Sequence, residues 1–239
     1  MMKPNELLDE AKTLQPQLQK WRRMIHRNPE VGFDLPKTRA LVKQALTEMG
    51  YAPQDCGRAG VLALAGGKRP GKTILLRGDM DALPIFEESG EVFASEVPGK
   101  MHGCGHDMHT AMMLGAAKLL KEHEEEIEGT VKLEFQPAEE IFQGSPDMIA
   151  NGLLENPKVD AAVMFHVLGG MPLPLGEVLS RAAEVLPDKN APWLIYCRTG
   201  RRSADAVQKL DSLGYTNLYD LGGILSWPYE IEGDFEGHF

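Results

Sequence analysis

The chain has 239 residues, a formal net charge of −10 at pH 7 and an apolar content of 43%. The negative charge argues against nucleic-acid binding, because nucleic-acid-binding surfaces carry an excess of positive charge. The longest apolar runs, such as 160–168, are far shorter than the ~20 residues of a membrane span, so we expect no membrane interaction. Three cysteines are too few for a disulfide framework, and the polar N-terminus shows no signal region, which together favour the cytoplasm.

The first part of the chain alternates helical and strand patterns. Apolar residues spaced three or four apart predict a helix over 5–27 and another over 37–49, with Pro36 at its first position. Short β-type runs over 61–65 and 73–77 follow. The loop between them, GGKRPGK, is not a phosphate-binding loop, because it lacks the G-x-x-x-x-G-K-[ST] spacing that leads into a helix.

Two aspartates follow the second of these strands, in GDMDALP. Asp79 and Asp81 lie where an α/β sheet presents catalytic groups, just beyond the carboxyl end of a strand. Aspartates are also common turn formers, so a purely local role is the alternative.

The stretch KMHGCGHDMHT, residues 100–110, combines a thiol, three imidazoles and a carboxylate with two glycines. Thiolate and imidazole are ligands that suit zinc and related metals, and the glycines allow a tight bend. Cys104 and His106 are the favoured ligand pair. Because one C-x-H pair is weak evidence, a packed cysteine beside an unrelated histidine remains the alternative.

Two further strand patterns end in ligand-type residues. The run 130–136 leads into PAEE, with Glu139 and Glu140, and the run 160–165 leads into His166. Adjacent carboxylates can divide the work of metal-assisted hydrolysis: one binds the metal and the other takes the proton from the attacking water. The pattern predicts an α/β fold, with helices flanking a mostly parallel sheet and reactive groups at its carboxyl edge.

Five segments together resemble the metal-dependent amidohydrolase and carboxypeptidase family that includes hippurate hydrolase and the auxin-conjugate hydrolases. They are WRRMIHRNPEVGF, RGDMDALP, MHGCGHDMHTAMMLGAAKLL, EFQPAEE and MFHVLGGMPLPLGEV, within residues 10–178. The resemblance implies hydrolysis of N-acyl amino acids or small peptides at a centre of up to two divalent ions, zinc or manganese. It assigns roles as follows: metal ligands Cys104, His106, Glu140 and His166, general base Glu139, and orienting residue Asp81.

Members of that family continue into a lid and dimerisation domain and then supply one more metal-binding histidine. Residues 179–239 do not resemble those parts, although His238 is a conceivable substitute ligand. We therefore expect one ion to bind well, a second weakly, and hydrolysis to be reduced. The oligomeric state is open between a monomer and association through uncovered sheet edges.

The segment WLIYCRTGRRSADAVQKLDSLGYTNLYDLGGILSW predicts strand, loop, helix and strand, with Cys197 at the strand-to-helix turn. Loop N–H groups and the arginines Arg198, Arg201 and Arg202 favour a thiolate there. The loop resembles the C-R-x-G-x-R loop of rhodanese sulfurtransferases, which implies a persulfide on Cys197 formed from thiosulfate. A buried strand cysteine beside surface arginines is the alternative, and Ser203 at the position of the phosphatase arginine excludes a Cys-x5-Arg loop.

Residues 1–178 and 179–239 are therefore predicted to be two partial domains in one chain, the second a short rhodanese-like strand–loop–helix–strand unit. A natural fusion, an engineered chimera and a misjoined reading frame would give the same sequence. The favoured function is amide hydrolysis of a small-molecule substrate. Persulfide formation and an inactive scaffold are the alternatives.

Overall fold

The computed structural model describes residues 4–167, 175–197 and 200–223, which divide into two compact units, Met1–Gly169 and Gly170–Phe239. The boundary predicted at residue 178 falls inside the second unit. Among the described residues, none of the helices combines the length and apolar character needed to cross a lipid bilayer.

The first unit contains five α-helices and one short 3-10 helix, Glu124–Glu126, among its described residues. The α-helices are α1 (Pro4–Thr13), α2 (Gln15–Arg27), α3 (Pro36–Glu48), α4 (His106–Glu122) and α5 (Gly144–Ala150). The prediction of a single helix over 5–27 is wrong in one respect, because the helix is interrupted at Leu14. Pro16 lies in the first turn of α2 and has no N–H to donate to the preceding turn, so a continuous helix would lose a hydrogen bond there.

A five-stranded sheet forms the centre of this unit. Its strands are β1 (Gln54–Cys56), β2 (Gly60–Gly66), β3 (Thr73–Asp79), β4 (Thr130–Gln136) and β5 (Ala161–Met164), in the order β1-β2-β4-β3-β5. β3 pairs in parallel with β4 and β5, whereas β2 pairs antiparallel with β1 and β4.

The expectation of a mostly parallel sheet therefore needs correction: the sheet is mixed. The three residues 57–59 that join β1 to β2 are long enough only for a hairpin, whereas a parallel connection needs a crossover of a dozen or more residues. The parallel part is confined to β3, β4 and β5. Those are the strands whose ends carry the predicted site residues.

One face of the sheet carries the larger core. Val42 and Leu46 of α3, Leu114 of α4, and Leu133 and Phe135 of β4 are fully buried in it. Successive side chains of a strand point to opposite faces, so the intervening residues of β4 point to the other side. A smaller apolar cluster there is made of Cys56, Leu75, Met148 and Leu153.

Polar groups are also buried on that second face. Lys132 is 1% exposed, and its Nζ donates hydrogen bonds to the carbonyl oxygens of Leu153, Glu155 and Pro157 at 2.9, 2.7 and 3.0 Å. All three ammonium protons are thus satisfied, which offsets the cost of burying the charge. Glu134 is buried on the same strand, and burial raises the pKa of its carboxyl to about 7.

The second unit contains α6 (Val178–Val185), β6 (Trp193–Cys197), α7 (Arg201–Ser212) and β7 (Leu218–Gly223) among its described residues. α7 lies between β6 and β7 in the chain, as the sequence pattern predicts, and the two strands pair in parallel. Val178, Ala182, Leu210 and Tyr215 form its buried apolar cluster. The strand–helix–strand arrangement is confirmed.

Candidate metal centre

The parallel strands end at one edge of the sheet and place the predicted site residues beyond it. β3 ends at Asp79, β4 at Gln136 and β5 at Met164, and the paired registers run together to these ends. Asp81, the pair Glu139 and Glu140, and His166 come within a few residues of the three ends. The carboxyl edge of a sheet is where α/β proteins gather reactive groups.

The segment that carries Cys104 and His106 is fastened to the same edge. Leu83 and Met101 exchange two backbone hydrogen bonds of 2.9 and 3.0 Å, which hold the loop against the chain that leaves β3. Gly105 then adopts a φ of 84°, and a Cβ atom there would lie 2.4 Å from Cγ2 of Val167. Glycine is therefore required on both conformational and steric grounds.

His106 is at the centre of the group. Its Nε2 lies 3.7 Å from Oε2 of Glu139 and 3.7 Å from Oε1 of Glu140. Sγ of Cys104 lies 3.2 Å from Nε2 of His166. The donor atoms of Cys104, His106 and His166 all lie within 4.8 Å of one another, and so do those of His106, Glu139 and Glu140. The structure thus brings together the four proposed ligands and the proposed base.

Asp81 holds two of these elements in place. Its carboxylate accepts hydrogen bonds from the backbone N–H groups of Glu139 and Glu140 at 2.9 and 3.2 Å. Its carbonyl oxygen lies 2.8 Å from Nδ1 of His106, and because a carbonyl can only accept, Nδ1 carries the proton. Nε2 therefore points towards the two glutamates, and its lone pair faces them once the Nε2 proton has been displaced. A fixed tautomer of this kind is typical of metal-binding histidines.

The turn that presents the two glutamates is strained. Ala138 and Phe142, which flank it, have φ angles of 52° and 55°, in the left-handed region that residues with a Cβ rarely adopt. A Cβ atom on Gly144 would lie 1.6 Å from the carbonyl oxygen of Pro137, so the chain closes tightly behind the turn. Strained backbone of this kind is concentrated at functional sites.

Two buried atoms at the centre lack hydrogen-bond partners among the described residues: Nε2 of His106 and Oε1 of Glu140. Burial raises the pKa of Glu140 more than the adjacent imidazole lowers it. Burial lowers the pKa of His106, but contacts with Asp81 and Cys104 raise it more, to about 11. A divalent cation would satisfy both atoms at once, and the sulfur, nitrogen and oxygen donors suit zinc and its neighbours. The residues fit a metal ion.

His109 also belongs to this region, although sequence reasoning treated it only as a helix residue. The sequence pattern predicts this helix only over His109 to Lys121, but α4 begins at His106, so both imidazoles project from its first turn. Nδ1 of His109 lies 2.6 Å from Oδ1 of Asp79, and its Nε2 accepts a hydrogen bond of 2.8 Å from the N–H of Val167. The i, i+3 spacing of the two histidines could have indicated that His109 lies near the site, because this spacing places both residues on one helix face.

The second predicted site is only partly described. Cys197 is the last residue of β6, and Arg201 and Arg202 are the exposed first residues of α7. The thiol environment of Cys197, together with Arg198 and His238, lies outside what the structure describes. A persulfide site therefore stays a prediction.

Comparison with known proteins agrees with the geometry at the sheet edge. The sequence profile described as peptidase family M20/M25/M40 matches residues 75–232, which is more than half of the chain. The chain belongs to this family. The amidohydrolase resemblance of the sequence motifs is thereby confirmed at the level of the family.

Individual relatives are similar over about two thirds of the chain or more. An IAA-amino acid hydrolase ILR1-like 5 from Arabidopsis thaliana is 49% identical over 67% of this chain and 36% of its own length. An N-acyl-L-amino acid amidohydrolase from Geobacillus stearothermophilus is 39% identical over 72% of this chain and 45% of its own. The YXEP protein of Bacillus subtilis, described as a dinuclear metal-binding peptidase of the M20 family, is 38% identical over 67% of this chain and 45% of that chain, with a TM-score of 0.64. The chain thus spans less than half the length of each of these relatives.

Proposed function

We propose that this M20 chain hydrolyses the amide bond of N-acyl amino acids or small peptides at a divalent metal held by Cys104, His106, Glu140 and His166. The observation that carries the proposal is the convergence of three separate segments on His106, whose unpartnered Nε2 faces two carboxylates. The names of the amidohydrolase relatives support the substrate class.

The protein residues divide the chemistry between them. The metal, when bound, polarises the scissile carbonyl and lowers the pKa of water. The side chain of Glu139 is 29% exposed, against 18% for Glu140, so it is the more accessible carboxylate to water and substrate. Glu139 takes the proton from the attacking water and passes it to the leaving amine nitrogen. Asp81 keeps this base in place through the backbone N–H of residue 139.

The donor set determines which metals we expect. A thiolate, two imidazoles and a carboxylate would suit zinc, and manganese is the second candidate. We expect a stoichiometry near one ion per chain from these four ligands. Cys104 would bind as a thiolate and must stay unoxidised, which a reducing compartment such as the cytoplasm favours.

A matched pair of variants tests the division of labour. Glu139→Gln should reduce hydrolysis of an N-acetyl amino acid by about 10²–10⁴-fold and leave zinc affinity within a few-fold of the wild type. Glu140→Gln, the same change one residue later, should weaken zinc binding measured by calorimetry. Full activity in Glu139→Gln, or unchanged zinc affinity in Glu140→Gln, would refute the assignment. Zinc binding without any hydrolysis in the wild-type chain would favour the inactive scaffold.

A sulfurtransferase activity is the second candidate. It is supported by the position of Cys197 at the carboxyl end of a parallel strand, directly before the N-terminus of α7 with Arg201 and Arg202. Helix N-termini and positive charge favour a thiolate. Thiocyanate release from thiosulfate and cyanide should be lost in Cys197→Ser and kept in Cys56→Ser. Equal release by both variants would contradict it.

A further inference from the structure

The ring of His109 contacts two of the proposed ligand imidazoles. It stacks on His106, with ring centroids 5.4 Å apart and planes inclined by 28°, and it meets His166 edge-on, with centroids 4.6 Å apart. The side chain is buried. Any shift of this ring would therefore displace both neighbours.

The hydrogen bonds of His109 define its tautomer. A backbone N–H can only donate, so Nε2 of His109 must offer its lone pair to Val167. The proton then resides on Nδ1, which donates to Oδ1 of Asp79. Both ring nitrogens are occupied in this arrangement. Although His109 lies close enough to His106 and Asp79 to form a ligand group, it has no lone pair left for a metal ion.

Asp79 connects this ring to the sheet. It is the fully buried last residue of β3, and its Oδ2 lies 2.5 Å from Nη1 of Arg77. Nε of Arg77 donates a hydrogen bond of 2.9 Å to Oε1 of Gln136, the last residue of β4. The ends of two central strands thus anchor the Asp79 carboxylate, which in turn fixes the ring of His109.

The segment that carries His166 needs such an anchor. It follows β5, a strand at the edge of the sheet whose four residues are all exposed. Edge strands gain less burial than central ones, and exposed backbone opens readily. The bond from Val167 to His109 joins this segment to α4, one residue after the proposed ligand.

We propose that His109 is a positioning residue: through its Nε2 it holds Val167 and so presents His166 to the metal. The inference rests on the proposed function for the role of His166. His109 does not touch the metal or the substrate. Its effect on metal affinity passes through the backbone of the neighbouring segment.

Two amide variants separate the roles of the two ring nitrogens, because each replaces only one of them. In His109→Asn, the amide nitrogen falls near the place of Nδ1 and can still donate to Asp79, but nothing accepts from Val167. In His109→Gln, the amide oxygen reaches near the place of Nε2 and can still accept from Val167. Amide hydrogen exchange of Val167, followed by NMR in the metal-free chain, measures the anchor itself. Zinc titration by calorimetry measures its consequence.

We expect His109→Asn to speed exchange of the Val167 amide roughly fivefold or more and to weaken zinc binding by about 10–100-fold, the usual cost of losing a group that orients a ligand. His109→Gln should stay within about threefold of the wild type in both measurements. Unchanged exchange in His109→Asn, or a glutamine variant as impaired as the asparagine one, would overturn the proposal. Faster exchange with unaltered zinc affinity would overturn it as well.

The same measurements distinguish failure of the proposed metal site from failure of the positioning role of His109. If the wild-type chain binds no zinc, the proposed function fails, while the exchange rates in the metal-free chain still decide whether His109 holds Val167. If zinc binds and the two variants do not differ in Val167 exchange or zinc affinity, the metal site is supported and the positioning role of His109 is refuted.

Discussion

Replacing Glu134 with glutamine should stabilise the first unit at alkaline pH and have little effect at acidic pH. The carboxyl is 2% exposed on β4, and its Oε1 has no hydrogen-bond partner among the described residues. Burial raises its pKa from 4.5 to about 7; Arg77 opposes this shift and Asp79 adds to it. Ionised Glu134 is thus disfavoured in the folded state, whereas glutamine carries no charge at any pH.

The size of the effect follows from the two pKa values. A carboxyl whose folded-state pKa exceeds its unfolded-state value carries no penalty well below pH 4.5 and its full penalty above pH 7. At about 1.4 kcal/mol per pKa unit, the full penalty is about 3 kcal/mol. Between pH 5 and pH 8, the stability difference between Glu134→Gln and the wild type should therefore grow by about 2–3 kcal/mol in favour of the variant.

Urea unfolding monitored by the fluorescence of Trp21, in a background with the other tryptophans replaced by phenylalanine, measures this difference in the first unit. Glu88→Gln is a matched control, because the same change is made at an exposed position. It should alter the free energy of unfolding by less than about 0.5 kcal/mol at both pH values. A stability difference for Glu134→Gln that is the same at pH 5 and pH 8 would refute the reasoning, whatever its sign.

Three further outcomes are expected. Lys132→Met should lower the free energy of unfolding by about 2–4 kcal/mol, since one buried and two partly buried carbonyls lose their donor; a change below about 0.5 kcal/mol would contradict this. Zinc should slow alkylation of Cys104 by iodoacetamide, whereas Cys56, buried and with a pKa raised by that burial, should stay unreactive with or without metal; equal labelling of both thiols would count against the site. The pKa of His26 is raised by its hydrogen bond to Asp107, so its contribution to stability is full below pH 6.5 and is lost as pH rises through the folded-state value. The destabilisation caused by His26→Gln should accordingly shrink as pH rises. A destabilisation that grows with pH would contradict this prediction.

Local patterns in the sequence predicted most elements, because periodicity and turn residues reflect backbone preferences directly. The strand over 130–136 and the helix after Pro36 agree with the structure almost residue for residue. The order in which the strands pair could not be predicted in this way. That β4 inserts between β2 and β3 depends on contacts across more than fifty residues, and no local pattern encodes it. Two short elements, β1 and α5, were missed because they are too brief for a periodic signal.

The candidate site shows the same limit. Ligand-type residues at strand ends could be recognised one by one, and the structure brings them together at His106. The role of Asp79 and His109 could not be foreseen, because it depends on which nitrogen of a ring faces which partner. The early start of α4 was missed as well, since H-D-M-H lacks an apolar period and Gly105 takes the place of the usual polar cap.

The carboxyl edge of the sheet is proposed to bind a divalent metal. Anomalous X-ray scattering from crystals of the zinc-loaded chain tests it most directly, because the signal locates the ion without any assumption about its ligands. We expect a peak about 2.3 Å from Sγ of Cys104 and about 2.0–2.1 Å from Nε2 of His106, with Glu140 and His166 as the remaining ligands. A zinc-loaded crystal with no peak there, or with its strongest peak at another part of the chain, would contradict it.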